Sequence, residues 1–233
     1  MRLKQVSLMN HLHHIALLSI LSILPFIGYG QTDYQVFRYS NDSISSEGSL
    51  RDGKPDGYWK TYYENGVLKS EGNRKDFLLD GLWLFYSEQG DTTLLVNYEK
   101  DIKHGLRKIY LSDEVIEDHF DHGTRVDVSR RFDRRYHLLQ VMPIKNGYEE
   151  GISPVYDTAG RIIEIITYKK GLVNSREVIN RYDAQGRKNG YWKEFYPGLG
   201  LKTEIYYKHG LRNGFYKRYE ITGWLFGLSI MCR

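Results

Sequence analysis

The sequence predicts an all-β protein: one elongated sheet of tandem β-hairpin repeats, with a period of about 24 residues. Three observations predict it. A glycine leading into an aromatic-rich strand recurs at fixed steps, with Gly57, Gly81 and Gly105 each 24 apart and Gly190 and Gly214 repeating the same step. The chain holds 23 Gly and 20 Tyr but only three alanines, Ala16, Ala159 and Ala184. Alanine is the best helix former and aromatic residues favour strands, so a helical bundle or a doubly wound α/β domain is disfavoured. Turn pairs such as Asn65-Gly66 fall between the alternating stretches, where hairpins reverse.

The chain opens with an export pattern. Arg2 and Lys4 precede any acidic residue, Ile15 to Ile27 is broken only by Ser19, Ser22 and Pro25, and Gly28-Tyr29-Gly30 puts small residues before Gln31. A positive start, an apolar run and a small-residue site make a signal peptide over 1–30, cut before Gln31. The run is shorter than the ~20 residues that span a bilayer. No cysteine follows it to carry a lipid anchor, and the one cysteine, Cys232, excludes an intrachain disulfide and a cysteine-based zinc site. Residues 31–47 read as an N-terminal strand or linker.

Residues 48–220 are the repeats. Gly57-Tyr58-Trp59-Lys60-Thr61-Tyr62 returns as Gly81-Leu82-Trp83-Leu84-Phe85-Tyr86, and then as the copies starting at Gly105, Gly151, Gly190 and Gly214. A copy at Asp127 fits only with Asp127 in the place of the glycine; the stretch 111–146 is degenerate, and a shortened copy lies between Ser175 and Gly186. Ser46-Glu47-Gly48 matches Ser70-Glu71-Gly72 one period later. Strand Trp59–Tyr63, the Asn65-Gly66 turn and the return Val67–Ser70 define the unit, with both central turn residues expected at positive φ. The glycine pair at spacing four, as in Gly53/Gly57, is expected to turn the chain into the next hairpin. An isolated hairpin is marginal, so stacking supplies the missing partners. Roughly fourteen strands at about 4.8 Å would extend on the order of 65 Å. Residues 221–233, Trp224 to Cys232 among them, form an apolar tail placed to cap or pair with the last edge.

Numbering the glycine zero, the +1 and +5 positions are apolar or aromatic in all seven copies, from Tyr58 and Tyr62 to Phe215 and Tyr219. An even separation puts them on one face of a strand, and that face is expected to be the buried one. The +2 positions face the other way and include Trp59, Trp83, Trp192 and Tyr216, beside Arg107, Ser129 and Ser153. Position +3 is basic at Lys60, Lys108, Arg130, Lys193 and Lys217.

Gly-Tyr-Trp-Lys-x-Tyr-Tyr-x-Asn-Gly at 57–66, echoed by Gly81-Leu82-Trp83, Asn189-Gly190-Tyr191-Trp192-Lys193 and Asn213-Gly214-Phe215, resembles the MORN-repeat variant. In bacteria that variant is similar to the YwqK-type antitoxin family. The resemblance implies a β-hairpin sheet used for protein contacts, scaffolding or membrane-surface association, and the antitoxin label implies neutralising a toxin protein. It carries over no catalytic residue.

Chemistry-bearing residues are sparse. In Asp118-His119-Phe120-Asp121-His122, alternation splits the possible ligands between two faces, so no metal site is expected. His104 and His209 precede repeat glycines and read as turn residues. There is no nucleophile elbow and no strand–loop–helix phosphate cradle. A net charge of +4 from 33 basic and 29 acidic residues is too small for a nucleic-acid binder. Arg125, Arg130, Arg131, Arg134 and Arg135 form the densest basic patch, interleaved with Asp127 and Asp133. The expectation is an exported, non-enzymatic, cofactor-free scaffold that binds a protein partner through the +2 aromatics Trp59, Trp83, Trp192 and Tyr216 and the +3 basic ladder. The alternatives are an antitoxin or immunity-like protein, and peripheral attachment to a membrane surface or envelope glycan. The location would be periplasmic, outer-envelope or secreted.

Overall fold

The computed structural model describes residues 33–198, 200–221 and 225–231, the last stretch by its backbone. The expected export signal and its cut before Gln31 lie outside the described residues. Those residues form strands and turns with no helix. The first strands are β1 (Asp33–Arg38), β2 (Ile44–Arg51), β3 (Lys54–Tyr62), β4 (Leu68–Lys75), β5 (Leu78–Tyr86), β6 (Thr92–Glu99) and β7 (Ile102–Tyr110). They continue as β8 (Glu114–Asp121), β9 (Thr124–Asp133), β10 (Leu138–Lys145), β11 (Tyr148–Glu149), β12 (Gly151–Tyr156), β13 (Ile162–Lys169) and β14 (Leu172–Val178). Together these fourteen make one antiparallel sheet in hairpin order, with β11 beside β10, and the sheet does not close into a barrel. A second sheet of five follows, β15 (Arg181–Tyr182), β16 (Lys188–Phe195), β17 (Leu201–Lys208), β18 (Leu211–Tyr219) and β19 (Leu225–Met231).

Two kinds of turn alternate. Along one side, two-residue turns such as Asp52-Gly53 and His122-Gly123 have both residues at positive φ, the geometry that matches strand twist. Along the other side the turn is longer. Tyr63 N–H donates to Val67 O at 2.8 Å and Gly66 N–H to Tyr63 O at 2.9 Å. There Gly66 is left-handed (φ 82°) and Asn65 is not, which corrects the expectation of two positive φ values at Asn65-Gly66. Asn65 is selected for its side chain instead: Oδ1 accepts from Val67 N–H at 2.9 Å, and Nδ2 donates to Glu88 O of the next turn at 3.2 Å.

The glycine pair also divides its labour. Gly53 makes the turn with Asp52, while Gly57 (φ 90°) lies inside β3, where the register to β2 shifts. In the degenerate copy Asp127 (φ 60°) occupies that left-handed position, so β8, β9 and β10 stay in the ladder without the glycine. Asp33 to Arg51 form a hairpin of their own, β1–β2, and the apolar tail supplies β19, whose Ile230 lies opposite Phe215.

Adjacent hairpins are tied by recurring bonds. Tyr39 O–H donates to Tyr62 O at 2.7 Å, Tyr63 O–H to Tyr86 O at 2.8 Å and Tyr196 O–H to Tyr219 O at 3.0 Å.

The shortened copy breaks the single continuous sheet that the repeats predict. After β14 the strand kinks at Ile179-Asn180, with Asn180 left-handed (φ 54°). Ile179 is 1% exposed, and its N–H donates to Ile163 O at 2.9 Å. The Asn180 side chain then stands in for missing backbone. Its Nδ2 donates to Ile162 O (2.8 Å) and Lys193 O (3.0 Å), and its Oδ1 accepts from Lys193 N–H (2.8 Å). One side chain thus splices β13 to β16.

Candidate functional site

The face assignment is the reverse of the one the alternation suggested. The +2 face is buried: Trp59 is 7% exposed, Trp83 3%, and Val96, Ser129 and Ser153 1% or less. The cause lies across the strands. Gly48 pairs with Trp59, which pairs with Gly72, which pairs with Trp83, which pairs with Val96. Each indole lies over a glycine: a Cβ on Gly48 would meet Trp59 Cε3 at 2.2 Å, and one on Gly72 would meet Trp83 Cδ2 at 2.3 Å. Leu50, Leu79, Phe85, Leu94 and Tyr98 pack around them. The Trp83 indole N–H donates to Asn73 O at 2.9 Å, so the ring is held at its edge too. Trp59 and Trp83, expected as contact residues, are therefore core. Trp192 and Tyr216 are half-buried; Trp192 donates to Arg181 O at 3.1 Å, with Lys188 Nζ 4.2 Å from its ring.

Further along the same row the core turns polar. Arg107 replaces the indole and pairs with Asp118, which is completely buried. Arg125 Nη1 approaches the other Asp118 oxygen at 3.6 Å and reaches Glu149 at 2.5 Å through Nη2. Next along are Gln140, whose Nε2 donates to Ser153 Oγ at 2.9 Å, and Arg131, which binds Gln140 Oε1 at 3.1 Å and Glu114. Asp118 and Arg125, read from the sequence as a metal candidate and a surface cation, are thereby internal.

The opposite face presents the +1 residues. Tyr58, Leu82, Ile152, Tyr191 and Phe215 are each about half exposed, between 45% and 53%. The +5 tyrosines are half-buried beside them and bonded to glutamates: Tyr62 O–H to Glu47 at 2.6 Å, Tyr86 O–H to Glu71 at 2.7 Å. Burial and the Glu71 carboxylate push the Tyr86 hydroxyl up to about 12, and burial with Glu47 raises Tyr62 further, so both stay protonated donors.

The +3 ladder shares this face, and most of it stands opposite glutamates. Lys60 lies between Glu47 and Glu71, and Arg130 lies opposite Glu117. Lys108 contacts Glu117 at 2.5 Å, Lys193 contacts Glu177 at 2.7 Å and Glu204 at 3.5 Å, and Lys217 contacts Glu204 at 3.3 Å. Opposed cross-strand charges of this kind stabilise the pair by roughly 0.2–1 kcal/mol. Lys108, Lys193 and Lys217 are thus ion-paired in place, and Lys60 and Arg130 stand opposite glutamates in register. Near the C-terminal end, Tyr191, Tyr206 and Phe215, with Glu204, Asn213 and Lys217, line an open groove of about 450 Å³. The Tyr191 and Tyr206 rings meet edge to face there, with centroids 5.2 Å apart.

Among the described residues one group gathers possible metal ligands: Glu99, His104 and His122 hold ligand atoms within 4.8 Å of one another. Sequence reasoning missed it because the partners come from two hairpins.

The class these features define is a β-hairpin repeat array with one face consumed by packing and the other left to solvent. Comparison agrees at the level of the repeat: a family model described as MORN repeat variant matches residues 55–76, which span most of β3 and β4 and the turn between them. That architecture is consistent with a scaffold for protein or membrane interaction. No curated protein matches the chain, so the antitoxin similarity has no relative behind it.

Proposed function

We propose that the protein is an exported, non-enzymatic repeat scaffold that binds a protein partner through its +1 face. One observation carries this reading: Tyr58, Leu82, Ile152, Tyr191 and Phe215 stay half exposed on the face that packing does not use. Tyr58 and Leu82, and again Tyr191 and Phe215, lie two strands apart in their sheets, about 10 Å, so each pair makes a local apolar patch. Exposed tyrosines and phenylalanine are among the residues enriched in protein interfaces. The Lys/Glu ladder at +3 runs between the +1 and +5 rows, and its pairing disfavours an anionic membrane, which would draw on unpaired cations.

Photo-crosslinking tests the reading. A benzophenone amino acid at Tyr58, Leu82 or Phe215 in the native organism should yield the same crosslinked protein, whereas Glu64, in a turn, should not. Leu82→Asp should abolish the adduct without lowering the unfolding midpoint. Absence of adducts at all three sites, together with salt-sensitive sedimentation with anionic vesicles, would favour membrane attachment instead.

A further inference from the structure

We propose that Glu99, His104 and His122 form a binding site for one divalent transition-metal ion of the zinc class. Glu99 is the last residue of β6 and His104 the third of β7, on either side of the two-residue turn Lys100-Asp101. His122 opens the next such turn, His122-Gly123, at φ 43°. Gly123 N–H donates to Lys103 O at 2.8 Å, which fixes the second turn against the strand carrying His104. The two imidazoles lie with centroids 5.0 Å apart at 65°, and the three ligand atoms fall within 4.8 Å of one another. Backbone bonds, not the ion, therefore set the spacing.

The donor set selects the metal. Two imidazoles and one carboxylate suit borderline ions such as Zn²⁺, with Co²⁺ as its spectroscopic substitute, and not the all-oxygen preference of Ca²⁺ or Mg²⁺. Asp121 completes the arrangement: its Oδ1 is 2.7 Å from His122 Nδ1 and 3.5 Å from His104 Nδ1. A carboxylate holding Nδ1 leaves Nε2 of His122 free and aims the ring, as outer-shell partners of metal-bound histidines do. Three protein ligands leave a coordination position for water or for a group from a partner. The related Lys-His-Gly at 208–210 lacks the set, because His209 Nδ1 faces Arg187 Nη2 at 3.3 Å and Asp183 at 3.4 Å. Asn189 stands there in the place of His104: its Oδ1 accepts from His209 N–H at 3.4 Å, and Gly210 N–H donates to Lys188 O at 2.8 Å as Gly123 does to Lys103.

The test uses the untagged full chain with His11, His13 and His14 changed to Ala, so that the leader binds nothing, after chelator treatment and dialysis. Zn²⁺ is titrated calorimetrically and Co²⁺ by visible absorption. The expected result is one equivalent bound. His104→Ala and His122→Ala should each weaken binding by at least about tenfold, Asp121→Asn by about 10–100-fold, and His209→Ala should leave it unchanged. Metal-free unfolding midpoints of all variants establish that each is folded; His104→Gln replaces any that is not. No heat and no absorbance with the folded parent would overturn the proposal, as would undiminished binding in the His104→Ala/His122→Ala double variant.

Discussion

Replacing Gly72 by alanine tests whether the indole-over-glycine row holds the sheet together. Gly72 is not in the left-handed region, so alanine meets no backbone penalty there and would gain the roughly 0.5–1 kcal/mol that glycine costs in a strand. The new Cβ, however, would sit 2.3 to 2.5 Å from three atoms of the Trp83 indole, against a comfortable separation of about 3.5–4.0 Å. The ring must retreat by more than an ångström, although it is 3% exposed and its N–H is held by Asn73 O at 2.9 Å. Overpacking costs about 1–3 kcal/mol and the strained hydrogen bond about 1 more, for a net loss of roughly 2–3 kcal/mol. Urea unfolding followed by tryptophan fluorescence measures it, and a double-mutant cycle with Trp83→Leu isolates the cause. In the Trp83→Leu background Gly72→Ala should cost less than about 1 kcal/mol. Equal costs in the two backgrounds, or a single variant as stable as the parent, would refute the packing account.

Asn180→Gly keeps the left-handed backbone but removes three hydrogen bonds. It should cost about 2–3 kcal/mol and speed hydrogen exchange at the Lys193 amide, while the β3–β4 amides stay protected. Tyr63→Phe, which removes only the O–H donated to Tyr86 O, should destabilise by about 1 kcal/mol by the same unfolding assay. Asp118→Ala leaves Arg107 and Arg125 facing a buried void, and should cost about 3–5 kcal/mol; a change under 1 kcal/mol would show that Asp118 is not an internal charge. Burial opposes ionisation of Asp183, but the Arg187 N–H and guanidinium, with His209, outweigh it and hold the carboxyl at about 2. A depressed carboxyl stabilises the fold above its unfolded pKa of about 4 and loses that contribution as pH falls toward 2. Acid titration by circular dichroism should therefore show a loss between pH 4 and 2 that Asp183→Asn reduces.

The repeat period, the hairpins and the turn positions were legible because each depends on a few adjacent residues, as with Tyr63 to Val67. The buried face was not. Along one strand the +1 and +5 residues outnumber the +2 aromatics, and strand alternation alone favours them. The deciding pairs lie on the neighbouring strand: Gly48 under Trp59 and Gly72 under Trp83. The match between Ser46-Glu47-Gly48 and Ser70-Glu71-Gly72 held this signal, since a glycine recurring in mid-strand implies a large neighbour above it. The splice at Asn180 was visible only as a shortened copy, because an amide that imitates backbone has no sequence pattern of its own. His104 and His122 are 18 residues apart, and only the β7–β8 ladder and the turn bond to Lys103 bring them together.

The face assignment constrains function more than the family resemblance does. In a single-layer sheet each side chain used to bury its neighbour is withdrawn from recognition. Trp59 and Trp83 are spent on glycines, and Arg107, Asp118 and Arg125 on one another. The +3 cations are answered across the strand by Glu47, Glu71, Glu117 and Glu204. What remains is the +1 row, about half exposed at Tyr58, Leu82, Ile152, Tyr191 and Phe215. The degenerate middle supports the same division: Asp127 preserves the left-handed position and the ladder continues, while the +1 residue there, Val128, is small and half-buried. The row is therefore prominent at Tyr58 and Leu82, recedes at Val128, and returns at Ile152, Tyr191 and Phe215. A partner that contacts this face meets exposed apolar segments separated by a stretch where Leu106 and Val128 are half-buried, so loss of Leu82 and loss of Phe215 should weaken binding independently rather than as a single unit.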